Sequence, residues 1–316
     1  MMVRLLAARL AGMIVTLLIS SFLVFSAVYL APGSPIATLT GGRPLPPETL
    51  REIEQSYNLE KPFAERYAIW LGDAVRGDFG QSIAFRQDVG PLIADRAQNS
   101  AVLVAYAGLL TLAIGIGLGA VAALRGGRLE TGIVVLGAIG LAIPSFVAAL
   151  LLIYLFGVQL PWFPIFGAGG GFFDKLYHLT LPAIALALAN VAYVSRITRT
   201  AIATEKSREH VDTARSRGLS EQVIVRRHVL RNAAIPITTV ASVTVASLIA
   251  GAVVVEFAFS IDGLGSYLVS SVTNKDFAAV QAICLILVAV FVVLSTLVDL
   301  IYTQLDPRIR LSGDRR

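Results

Sequence analysis

The chain has 316 residues, 56% of them hydrophobic and 15% charged, with a mean hydropathy of +0.74 and a formal net charge of +5. That is too apolar for an ordinary soluble domain, where charged residues make up about a quarter of the chain. A single cysteine, Cys284, excludes an internal disulfide, the three scattered histidines (178, 210, 228) have no metal-ligand spacing, and the net charge argues little for nucleic acid, which would also need a shaped basic groove.

Taken in chain order, six uncharged runs stand out: Leu10–Leu30, Asn99–Leu124, Thr131–Leu160, His178–Ser195, Asn232–Val255 and Phe277–Val298. Five exceed the ~20 residues that a helix needs to cross a bilayer core, and the 18-residue fourth run is still sufficient. The expectation is an all-α integral membrane protein with six transmembrane helices. The first run is too long for a signal-peptide core and "YLAPGSPIA" is a weak cleavage site, so it reads as a retained helix.

Six spans put both ends on one side. The ends, the 125–130 loop and the 196–231 loop hold 17 Lys and Arg against 8 acids, whereas 31–98, 161–177 and 256–276 hold 9 against 12 loop acids plus Glu256 at a helix end. By the positive-inside rule, both termini and the 196–231 loop are cytoplasmic.

The outside segment 31–98 is too polar to span. "PLPPETLREIEQSYNL" has Pro46, Pro47 and Glu48 at a helix start, and "KPFAERYAIWLGDAVRGDFG" places Phe63, Tyr67, Trp70 and Leu71 at helical spacing before Gly77 and Gly80. The segment is either a packed cap or a docking surface for a partner. In the second span, Gly115 and Gly119 have the spacing that lets two helix backbones approach closely. Pro144, with Ser145 and Phe146, should kink the third span, marking either a pathway or a packing irregularity. Asn190, at mid-depth in the fourth, either bonds another helix or lines a path. Glu256 and Asp299 lie at helix ends, without the intramembrane relay expected of an ion-coupled transporter. None of the four lysines lies in a GxxxxGK context, and no acid/base pair, nucleophile constellation or metal cluster suggests an enzyme.

The most informative stretch is "EHVDTARSRGLSEQVIVRRHVLRN", residues 209–232. It is polar and cationic between two apolar runs, and Gly218 divides it. Its first half reads as a short helix closed by a left-handed glycine cap. The second half has Ser220 as a cap and Glu221 in the first turn, with Arg227/Arg231 and Val225/Val229 forming charged and apolar edges at i,i+4. A positive-inside anchor accounts for the charge alone; a docking element for a cytoplasmic protein accounts for the charge and the helix–glycine–helix design.

"VDTARSRGLSEQVIVRRHVLRNAAIP" resembles the EAA–x3–G–x9–I–x–L–P coupling-loop signature of binding-protein-dependent ABC import permeases. Asp212, Thr213 and Ala214 stand at Glu-Ala-Ala, and Gly218 at the glycine. His228 and Leu230 occupy the Ile and Leu positions, and Arg231 replaces Pro. With "RGDFGQS", "IPSF", "HLTLPAIALAL", "SRITRTA", "GAVVVEFAFSIDGLG" and "VDLIYTQLDPRIRL" in order, the chain resembles the oligopeptide/dipeptide/nickel branch almost end to end. Ile261-Asp262 and Ser295-Thr296 depart from that pattern.

The resemblance implies a type I ABC importer permease fold: residues 1–30 as cytoplasmic end and first helix, 31–98 as a helical extracytoplasmic segment, 97–303 as the transmembrane domain with a coupling loop at 203–231, and 304–316 as a cytoplasmic tail. It implies a homologous second permease subunit, two ABC ATPase subunits carrying ATP and Mg, an extracytoplasmic solute-binding protein and a plasma (inner) membrane location. The chain itself would bind no cofactor. Peptides are the commonest solute of the branch, with nickel chelates and glutathione as alternatives. Asp212, Thr213, Ala214, Arg215, Gly218, Leu219, Arg227 and Arg231 would couple to the ATPase, and Pro144, Ser145, Phe146, Asn190 and Glu256 are candidate pathway residues.

Overall fold

The computed structural model describes residues 2–30, 46, 48 and 60–305. The helix expected over 44–59 and the tail beyond 305 lie outside the described residues, apart from Pro46 and Glu48. Among the described residues the chain is helical, with no strand beyond an isolated bridge between Gln81 and Asp88. Five helices among the described residues are long and apolar enough to cross a membrane, and a bent helix pair makes six if it is one span.

Two compact units divide the chain. The first comprises Met1–Gln98 and Gly263–Val293. It begins with α1 (Met2–Leu30), whose central residues expose broad apolar sides that suit lipid. Next is α2 (Phe63–Val75), started after Pro62, with Glu65 in its first turn, and followed by Gly77 at φ 87°. The aromatic anchors of α2 meet α1 of the same chain: Phe63 and Tyr67 pack edge-on against Phe22 and Phe25, and the Trp70 ring lies 5.4 Å from Phe25. Ser21 Oγ and the Tyr67 hydroxyl share a 2.7 Å hydrogen bond.

The unit's main core joins the start of α3 (Val89–Arg125) to α10 (Leu264–Thr273) and the start of α11 (Phe277–Leu305). Val89, Leu92 and Ile93 pack with Leu264, Tyr267, Ala279, Ala282 and Ile283. The helix α10 has no counterpart in the sequence reading. Asp276, fully buried, fixes this corner: Ser82 donates its hydroxyl to Asp276 Oδ2, the Ala84 amide donates to the same oxygen at 3.3 Å, and the Ala279 amide donates to Oδ1 at 3.4 Å. The aspartate therefore caps α11 and pins the 82–84 turn at once. Arg96 lies over the Tyr267 ring at 4.6 Å and over Phe85 at 5.4 Å, and burial pushes the Tyr267 phenol up.

The second unit comprises Asn99–Asp262 and Leu294–Arg316. It holds α4 (Gly127–Ala142), α5 (Ser145–Leu152, continued by a π-turn at Ile153–Gln159), α6 (Phe172–Lys206), α7 (Glu209–Ser216), α8 (Glu221–Ile224, continued by a π-turn at Val225–Val229) and α9 (Leu230–Ala258). Its central core is made by Leu103 and Ala107 of α3, Ala148 and Ala149 of α5, Leu179, Leu181, Ala183, Ala185 and Leu186 of α6, and Leu248, Ala252 and Val255 of α9. Gly115 and Gly119 let α3 lie directly on α6: a Cβ at Gly119 would sit 2.5 Å from the Ser195 carbonyl oxygen.

The third span differs from its expected kink. Ile143 (φ −88°, ψ 114°) and Pro144 (φ −60°, ψ 146°) are both extended, and the helices on either side are bent by 100°. The proline removes a backbone donor and excludes Ile143 from the helical region, so two extended residues replace a continuous turn.

Candidate coupling site

The polar loop between α6 and α9 folds as its glycine demands. α7 ends at Ser216; Gly218 takes φ 79°, with its amide donating to the Arg215 carbonyl at 3.0 Å and that of Leu219 to Ala214 at 3.3 Å. This is a left-handed helix close. Ser220 then starts α8 from an extended conformation without a side-chain capping bond.

A small core holds the loop from beneath. Val211, Ala214, Ile224, Val229, Ile202 and Ala233 are buried together, with Ala120 and Ala123 of α3 beside them. Ala214 therefore supports the loop from inside, while Asp212, Thr213, Arg215, Gly218 and Leu219 are exposed. Leu219 presents an apolar side chain at the tip, 42% exposed.

Arg215 braces the two short helices across the glycine. Its Nε donates to Glu221 Oε1 at 2.7 Å and an Nη donates to Asp212 Oδ1 at 3.0 Å. The hydrogen bond from Arg215 lowers the Glu221 carboxyl below its ordinary range, and the Arg215 guanidinium is raised by the same bond. A second polar knot lies at the loop's base. Glu205 Oε1 accepts from Asn232 Nδ2 at 2.7 Å and lies 3.2 Å from His210 Nε2, and Arg208 Nε is 3.5 Å from Oε2. The end of α6 is thereby tied to α7 and α9. Lys206 Nζ donates to the Ala123 carbonyl near the end of α3, and Arg199 pairs with Glu130 of α4. Glu205 and Asn232 are 27 residues apart, so no local spacing could reveal their contact.

The apolar i,i+4 edge expected of the second helix shifts, while Arg227 and Arg231 stay on one side. The π-turn makes Ile224 and Val229, five apart, the buried pair in place of Val225 and Val229. Arg227 and Arg231 line a cavity of about 930 Å³ together with Arg226, His228 and Asn232.

The pathway candidates occupy separate places in the second unit. Pro144 and Phe146 are exposed and Ser145 is partly buried at the start of α5. Asn190 Nδ2 donates to the Leu186 carbonyl within α6 at 3.1 Å, and its Oδ1 accepts from Ser247 of α9 at 3.4 Å. Asn190 thus makes an interhelical bond. Glu256 is 1% exposed near the end of α9, where its carbonyl accepts the Ile261 amide at 2.9 Å.

Apolar spans with lipid-suited faces, packed by close helix approach and linked by a braced helix–glycine–helix loop, define a polytopic helical membrane protein. The family comparison makes the class specific. Residues 115–311 match the binding-protein-dependent transport system inner membrane component family, and residues 2–99 match the N-terminal model for such membrane components. The chain belongs to this family.

It is 37% identical over 315 residues to a peptide transport system permease protein of Brucella melitensis biotype 1, covering 98% of this chain and 99% of that one. A peptide ABC transporter permease protein of Sinorhizobium fredii is 32% identical, covering 96% of this chain and 97% of the relative. The glutathione transport system permease protein GsiC of Escherichia coli K12 is 34% identical with the same coverage. Among solved structures, the inward-facing MetNI methionine ABC transporter matches with TM-score 0.58 at 16% identity, over 68% of this chain and 96% of that chain. An amino acid ABC transporter with histidines matches with TM-score 0.56 at 19% identity, over 68% and 94%. These two likenesses show the fold; the family model and the sequence relatives make the chain an ABC importer permease.

Proposed function

We propose that the chain forms half of a translocation path for peptides, beside a homologous second permease, and that its 209–219 loop docks on a separate ABC ATPase. Solute arrives from an extracytoplasmic binding protein, and ATP and Mg act on the ATPase partners. Both termini and the loop face the cytoplasm, as the loop charges favour. The observation that carries the reading is the loop's construction. A positive-φ glycine, a guanidinium brace between Asp212 and Glu221 and a buried core hold Asp212, Thr213, Arg215 and Leu219 outward on a firm base. A rigid surface of that kind transmits a partner's displacement into α6 and α9, with which it is continuous.

The peptide class follows from the resemblance to permeases named for peptide transport; glutathione, itself a short peptide, is a second reading favoured by the likeness to GsiC. The test is reconstitution of the four-subunit complex in proteoliposomes with its binding protein. Leu219→Cys should crosslink to the ATPase, and dipeptide to pentapeptide uptake should require ATP. ATP-driven uptake without any crosslink from 212–219 would sink the docking assignment. Uptake of neither peptides nor glutathione would sink the substrate class.

A further inference from the structure

The cavity lined by Arg226, Arg227, His228, Arg231 and Asn232 is not needed to build the loop. Its lining overlaps the π-turn at Val225–Val229, where the Leu230 amide donates to the Val225 carbonyl, five residues back. In an ordinary α-helix, residues five apart point about 140° away from each other, given 3.6 residues per turn. The wider turn brings such residues toward one side. Ile224 and Val229 are both buried on the core side, and Arg226 with Arg231, and Arg227 with Asn232, share the cavity on the other. Sequence and helix geometry together gather three guanidinium groups into one concavity.

Among the described residues, none of these three arginines has a carboxylate within ion-pair distance, whereas Arg199, Arg208 and Arg215 all do. Glu205, the nearby acid, is engaged by Asn232, His210 and Arg208. The cavity lining therefore offers side-chain donors and no carboxylate. All three arginines are exposed, so water and salt screen part of their repulsion, and an anion seated between them relieves the rest. Guanidinium forks match phosphate oxygens in pairs, and His and Asn add further donors. The site also stands where the chain enters its apolar run: Ala233 follows directly, and α9 continues as a span through Ala258. Such a change from cationic to apolar sequence suits the interface of a bilayer.

We propose that this arginine cavity is a binding site for a phosphate group at the membrane boundary. An anionic phospholipid headgroup and a free phosphate ion share the chemistry. The site goes beyond the coupling reading and does not rest on it: failure of the 212–219 crosslink with anion binding intact removes that reading and leaves this one.

The experiment uses the full-length chain in nanodiscs. One arm varies phosphatidylglycerol in phosphatidylcholine and counts retained lipid by native mass spectrometry. The other holds pure phosphatidylcholine and adds inorganic pyrophosphate, reading the thermal midpoint. One phosphatidylglycerol retained per chain, weakened about fivefold for each guanidinium lost in Arg227→Gln and in the triple Arg226→Gln/Arg227→Gln/Arg231→Gln variant, establishes the lipid source. Stabilisation by pyrophosphate that the variants lack, without preference for phosphatidylglycerol, establishes the free-ion source. Arg227→Lys keeps the charge but loses the fork; it should bind a few-fold more weakly and serves if the triple variant fails to fold. Equal binding by wild type and Arg227→Lys or the triple variant in both arms overturns the proposal. So does a triple variant whose sole defect is assembly with the ATPase, since the cavity then receives an acidic protein surface.

Discussion

Replacing Gly119 by Ala tests whether α3 and α6 are held by backbone proximity. A Cβ there would lie 2.5 Å from the Ser195 carbonyl oxygen and 2.6 Å from Thr198 Cβ. A comfortable carbon–oxygen contact is about 3.3 Å, so the helices must separate locally by about 0.8 Å. Neither neighbour is the free end of a flexible side chain, and separation of that size also loosens surrounding contacts. Overpacking of this kind costs about 1–3 kcal/mol, against which alanine's helical preference over glycine returns about 1 kcal/mol. Gly117 supplies the internal control, because a Cβ there meets nothing within 4 Å. Gly117→Ala carries the same propensity gain without the clash, so the two variants should differ by about 1–3 kcal/mol, with Gly119→Ala the less stable. The assay is reversible denaturant unfolding in mixed micelles. Equal shifts for both variants would refute close backbone packing at this contact.

Gly218→Val should lower ATP-driven uptake by the assembled complex, because φ 79° disfavours a β-branched residue by about 1–2 kcal/mol although the space beside it is open; Gly218→Asn should be milder. Normal uptake with Gly218→Val would remove the turn from coupling. Asp276→Ala should release the 82–84 turn and the α11 cap together, costing about 3 kcal/mol locally and exposing Phe85–Arg86 to limited proteolysis. The Glu221 carboxyl is depressed in the folded chain, so its pairing with Arg215 stabilises the loop above the unfolded carboxylate pKa of about 4.3 and is lost as pH falls through the lower folded value. Amide protection over 209–224, taken as exchange relative to the intrinsic rate at each pH, should therefore fall on acidification in the wild type, and Glu221→Gln should flatten that dependence; an unchanged protection profile would show that the brace does not hold the loop.

The spans were legible because uninterrupted apolar length is a local property. Gly115 and Gly119 announced a close approach through their spacing, and Gly218 announced a left-handed turn. What escaped was set by tertiary contact. The i,i+4 reading of Val225 and Val229 assumed an α-helix, whereas the π-turn makes Ile224 the partner of Val229. The polar composition of 89–98 concealed that α3 begins at Val89, because its early apolar residues face α10 and α11. The aromatic residues of α2 were legible as one helical face, but periodicity carries no information about what covers it, which is α1. The Ser82–Asp276 and Glu205–Asn232 bonds join distant positions and leave no mark on either neighbourhood.

The break at Ile143–Pro144 bears on how the chain enters a bilayer during synthesis. At 1.5 Å per residue, the 16-residue α4 is about 24 Å long, short of the ~30 Å hydrocarbon core. Its continuation from Ser145 to Gln159 is no longer, and the 100° bend prevents the two from acting as one rod. An insertion machinery that samples emerging segments one at a time meets two incomplete spans, whose freed backbone groups need protein or water around them. Completion comes from α6, which packs against both halves and whose Arg199 pairs with Glu130. The third span thus matures after the fourth has been made, so a ribosome stalled before residue 172 would leave α4 and α5 at the membrane without their seat.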